Sequence, residues 1–96
     1  AQALLRAYAE VETALAREAP LRAQVERLEL AVASARGALE LAEPRYAEGV
    51  DGFLLVLEAR RRALLNESAF IAARRAVLQN RVELYLALGG GFDARA

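Results

Sequence analysis

Tyr46-Ala47-Glu48-Gly49-Val50-Asp51-Gly52 separates two long runs of helix-forming residues, and the architecture follows from how this stretch is read. Gly49 suits the left-handed conformation that closes a helix, and Asp51 carries a side-chain oxygen suited to capping the free N–H groups of the next one. With Asp51 as N-cap, Val50 and Leu55 take the positions of a hydrophobic staple, which fixes the angle at which the chain re-enters. The stretch predicts a tight turn at about 47–51 joining antiparallel helices.

Upstream of the turn, Leu4, Val11, Val25, Val32, Leu39 and Tyr46 recur every seven residues, interrupted only by Glu18. A second row runs Ala7, Ala14, Leu21, Leu28, Ala35, Ala42. Such a repeat keeps one seam against a neighbour, because about 3.5 residues per turn is the period of left-handed helix packing. Pro20 lacks the N–H of the helical ladder and disfavours helix in the residue before it. The first arm is therefore expected to break into two stacked helices, about 2–18 and 20–47, with Pro20 at the first position of the second. Pro44 falls in the last turns before Gly49, where it deletes the bond to Glu40 and bends the helix.

The second arm, about 52–88, carries three rows. Val50, Leu57, Leu64, Ile71, Leu78 and Tyr85 form one seam, and Val56, Ala63, Phe70, Val77 and Leu84 the next. The third is smaller: Ala59, Asn66, Ala73, Asn80, Ala87. So broad an apolar surface predicts neighbours on more than one side. Gly89-Gly90-Gly91 offers a left-handed stop and a flexible exit.

The 96 residues, 56% hydrophobic and 27% charged, fit one small all-α domain or a piece of a larger protein. No cysteine allows a disulfide, and no histidine supplies the usual metal ligand or general base. Ser34 and Ser68 have no base of the usual kind, and the carboxylates are spread along helices, so the inventory argues against an enzyme and implies no cofactor or metal. Formal net charge is zero. Arg60-Arg61-Arg62 and Arg74-Arg75 splay round a helix and are offset by Glu58 and Glu67, which argues against nucleic-acid binding. Phe53-Leu54-Leu55-Val56-Leu57, the longest strongly apolar run, falls well short of the roughly 20 residues of a membrane-spanning helix. The chain opens with helical periodicity already running and without a secretory signal, as expected of a segment cut from a longer polypeptide. A lone two-helix hairpin buries little surface, so this one is expected to self-associate or to lack its native neighbours.

Three segments, in order, carry a resemblance. Leu41-Ala42-Glu43 leads into Arg45-Tyr46-Ala47-Glu48-Gly49-Val50, similar to an arginine–tyrosine–x–x–glycine–aliphatic tip. Phe53 to Arg61 resembles a segment usually read leucine, x, valine, leucine, aspartate, alanine, glutamine. Leu78 to Phe92 resembles a tyrosine, x, alanine, leucine and glycine ending closed by an aromatic. Together they resemble the C-terminal periplasmic helical hairpin of the TolC-like outer-membrane efflux channels, the outer-membrane factors of tripartite pumps. Glu58 stands where aspartate is usual, Arg60 where glutamine is usual, and Pro44 enters a normally continuous helix.

The resemblance implies a single helical segment spanning 1–96, part of a homotrimeric tunnel in the periplasm of a Gram-negative bacterium, below an outer-membrane barrel. It implies that the 46–52 turn is the tip, with Arg45, Tyr46, Glu48 and Asp51 holding the gate, and Gly49, Val50 and Gly52 docking a periplasmic adaptor protein that links to an inner-membrane pump. On periodicity alone Tyr46 is a packing residue and the glycines are turn chemistry. A structural or adaptor coiled-coil hairpin is the alternative reading, although the arginine, leucine and serine contact motif of such adaptors is not found around residues 46–60. Composition also admits a cytosolic helical signalling hairpin.

Overall fold

The computed structural model describes residues 2–49 and 52–93, with side chains at 2–49 and 52–89. Two long helices account for nearly all of it: α1 (Gln2–Ala47) and α2 (Phe53–Asp93), paired as a helical hairpin with no strand among the described residues. Alanine, leucine, arginine and glutamate, which lose little freedom in a helix, fill both arms.

Two boundaries differ from those expected. α1 is not broken near Pro20 but runs through both prolines to Ala47. Proline removes one ladder hydrogen bond and frees the carbonyl of the residue four before it. Pro20 and Ala16 are both exposed, so the freed carbonyl meets water, while the seam on either side holds the helix on course. Pro44 is likewise exposed, and its own carbonyl still accepts from the Glu48 N–H at 2.9 Å. At the other end α2 does not stop at Gly89-Gly90-Gly91 but continues to Asp93. Glycine permits a left-handed stop without imposing one, and a helix already more than 30 residues long can carry the run at about 1 kcal/mol per glycine relative to alanine.

The chain divides into two compact units. One, Val25–Ala73, holds the turn. Its seam is built on buried Val32, Val56, Ala63 and Ala73, flanked by half-buried Leu28, Ala35, Leu39 and Phe70. Arg36 donates to Glu67 across the arms at 2.9 Å, and Arg60 pairs with Glu43 at 3.5 Å. The other unit joins Ala1–Gln24 with Arg74–Ala96. It buries Ala14, Val77, Asn80 and Ala87, with Val11, Glu18, Leu21 and Leu84 half-buried beside them. Arg17 and Glu83 approach to 3.9 Å at its surface.

The burial sorts the rows. Between Ala7 and Ala42 the α1 rows turn inward, leaving only Leu4 and Tyr46 at their ends exposed, and they meet the second and third rows of α2, the ones rich in alanine and valine. The large apolar row of α2 stays outside: Leu57 is 42% exposed, Leu64 64%, Ile71 58%, Leu78 59% and Tyr85 71%. The arms pair through small side chains, alanine and valine, with Val56 the most deeply buried. Burying a leucine or isoleucine contributes about 1.5–3 kcal/mol, a stabilisation this row leaves unrealised within the hairpin.

Candidate functional site: the turn between the helices

The α1 terminus is closed by its own backbone. The Gly49 N–H donates to the Tyr46 carbonyl at 3.0 Å, and Gly49 has φ 78°, the left-handed conformation foreseen for it. Apart from its chain neighbours, a Cβ added at Gly49 or Gly52 would meet no described atom within 4 Å, so the need for glycine at 49 comes from backbone conformation. α2 begins at Phe53, with the Leu55 N–H donating to the Gly52 carbonyl at 3.2 Å. The cap expected at Asp51 and the staple residue Val50 lie outside the described residues.

Tyr46 is half on the seam and half outside it, 45% exposed. Its ring meets that of Phe53 across the turn, centroids 5.6 Å apart and planes tilted by 48°, within the range of favourable aromatic pairs. Arg45 and Glu48 are exposed on the same turn, Arg45 with an interaction partner of its own. The described tip is thus an open glycine corner clasped by two aromatics and fringed by charge.

Just beyond the tip, Glu58 gathers the arginine run. Its carboxylate accepts from Arg61 Nη2 at 2.6 Å and Nε at 3.0 Å, and from Arg62 Nε at 3.1 Å. Those charge-assisted bonds, first from Arg61 and then from Arg62, hold the carboxyl at a pKa of about 2. With Arg60 on Glu43, all three arginines of the run have carboxylate partners. Among the described residues no group of three histidine, cysteine or acidic side chains could hold a metal ion, and no helix is long and apolar enough to cross a membrane.

Neither the contact of Phe53 with Tyr46 nor the Glu43–Arg60 pair is among the features expected from the sequence. A signal for the ring pair is present, since an aromatic stands on each side of the turn, whereas Glu43 and Arg60 lie at unequal distances from it and their pairing is not legible. Glu18, the interruption in the first heptad row, and Asn80, in the small row of α2, were likewise noted without being connected; they meet in the unit of the chain ends.

Comparison with known proteins matches residues 1–90 to the family described as outer membrane efflux protein. The chain is 42% identical over 87 residues to the outer membrane protein OprJ of Pseudomonas aeruginosa, covering 91% of this chain and 18% of the relative. It is 36% identical to the toluene efflux pump outer membrane protein TtgF of Pseudomonas putida, covering 91% and 18%. It is 34% identical to the pyoverdine export outer membrane protein OpmQ of P. aeruginosa, covering 97% and 20%. No solved structure matches it. The all-helical hairpin is matched over nearly its full length by a single family description. The chain belongs to the outer membrane efflux protein family, whose relatives here come from Gram-negative Pseudomonas, and it spans about a fifth of their length.

Proposed function

We propose that the hairpin is part of the periplasmic helical tunnel of an outer-membrane efflux channel, with the 46–52 turn as gate and adaptor-docking tip. The observation that carries this reading is the uncovered apolar row of α2 in a member of an efflux family. A helix apolar both toward its partner arm and away from it is suited to a wall of more than two helices. In the channel, a homotrimer, other helices cover Leu57, Leu64 and Ile71; in isolation the same side chains drive self-association. The chain does no chemistry of its own and gates passage passively.

At the tip, Arg45, Tyr46, Glu48 and Asp51 supply hydrogen bonds and ion pairs between neighbouring tips. Exposed pairs contribute about 0–1 kcal/mol each, so several acting together close a gate that remains reversible. Gly49, Val50 and Gly52 receive the periplasmic adaptor protein, which couples the channel to an inner-membrane pump. The space around Gly49 and Gly52 supports that role, because an approaching hairpin meets backbone first. The adaptor-hairpin alternative is less favoured, since the family matched is that of the outer-membrane component.

Tyr46→Ala in the full-length channel tests the gate. Resting conductance across a planar bilayer should rise, and Phe53→Ala should act in the same direction because its ring supports that of Tyr46. Conductance unchanged by either substitution would reduce Tyr46 to a packing residue.

A further inference from the structure

Within the unit of the chain ends, α2 carries two seams that could face α1. The one used contains Val77, Asn80, Leu84 and Ala87. The other, Leu78, Val82 and Tyr85, follows the same alternating spacing of four and three residues, is more strongly apolar, and is left exposed at 59%, 55% and 71%. In the unit of the turn the leucine row has no such companion, because the positions three and four residues further along are Arg60, Arg61, Glu67, Ser68, Arg74 and Arg75. Near the chain ends the apolar pattern alone therefore does not decide which way α2 faces.

A polar cluster supplies the decision. Asn80 is 4% exposed, and its Nδ2 donates to the Ala14 carbonyl at 2.8 Å and to Glu18 Oε2 at 3.4 Å. Glu18 Oε1 accepts from Arg81 Nε at 3.1 Å. Asn66, in the same row, instead donates to the Arg62 carbonyl of its own helix, so position in the row does not by itself produce the cross-helix bond. Turning α2 to bury Leu78 and Tyr85 would strip Asn80 of both acceptors and leave the Glu18 carboxylate against apolar side chains, a costly arrangement. Among the described residues no buried side-chain polar atom lacks a partner in the facing observed.

We propose that Asn80, Glu18 and Arg81 form a facing lock, which selects the small-residue seam over the Leu78–Val82–Tyr85 seam within the unit of the chain ends and so holds Leu78 and Tyr85 outward. A single buried asparagine is known to set register and partner choice between paired helices at some cost in stability. The lock explains why an acid interrupts the first heptad row at position 18. It stands on the geometry of the paired arms, whatever covers the outward row.

Disulfide trapping in a cysteine-free background of the full-length protein tests it. Val11→Cys is combined in turn with Leu84→Cys, Tyr85→Cys or Ala87→Cys, and the rate of intrachain bridging is compared. In the native background positions 84 and 87 should trap and 85 should not. In Glu18→Ala/Asn80→Ala, position 85 should trap as readily as 87. Alanine favours helix, so the arms persist and circular dichroism verifies it. Glu18→Gln, which keeps an acceptor for Asn80, should retain the native pattern. Asn80→Ala alone should shift the pattern in the same direction as the double variant. A native pattern in the double variant, or in Asn80→Ala, would overturn the lock.

Discussion

Gly49 is the residue whose replacement separates conformation from contact. Nothing crowds its missing side chain, yet its φ of 78° lies where an L-residue with a Cβ is strained. Gly49→Ala should therefore destabilise the hairpin by about 1–2 kcal/mol, read as a lowered thermal midpoint, although no new contact is made. Glu58 tests electrostatics at the same scale. Its folded pKa of about 2 lies below the ordinary 4.5, so its bonds to Arg61 and Arg62 contribute stability that is full above pH 4.5 and lost as pH falls toward 2. A carbonyl-detected titration should place its midpoint near the lower value, and Glu58→Gln should abolish that acid-side dependence; a midpoint at the ordinary value would mean that the clamp does not persist in solution. Gly49 was legible in the sequence because only the turn required it. The ring contact of Tyr46 with Phe53 was not, since a heptad row records which residues share a face and not which rings meet across a turn.

The helices show where periodicity informs and where it stops. Between Ala7 and Ala42 the rows of α1 turn inward as their spacing requires, which is why an all-α hairpin is legible in the residues alone. The expected break at Pro20 did not occur, because a proline on the outer face costs one bond whose carbonyl is hydrated, while the buried row continues beneath it. Pro20→Ala should accordingly stabilise α1 by less than the ~3 kcal/mol of a regular interior site, measured as a raised melting temperature. An unchanged or lowered midpoint would indicate that Pro20 has a role its exposure does not explain. In α2 the spacing marks three rows, and near the chain ends it does not say which of them faces α1. The pairing followed the small side chains, with Asn80 and Glu18 supplying a polar preference that a count of apolar positions ignores.

At the scale of the molecule, the arms bury alanines and valines against each other and leave the Leu57–Leu64–Ile71 row exposed, the row that on the proposed function further helices cover. The family connection was legible because tip, intermediate motif and glycine-rich ending stood in order; the direction of the apolar row was not, since it depends on which face of α2 meets α1. Single-cysteine alkylation measures that direction most directly. Leu64→Cys and Ile71→Cys, compared with Ala63→Cys, are labelled in the assembled full-length protein and in the dilute 96-residue chain. Ala63→Cys should be protected in both, whereas the other two should react quickly in the dilute chain and become protected on assembly. Equal reactivity of Leu64→Cys and Ile71→Cys in both states would contradict the account.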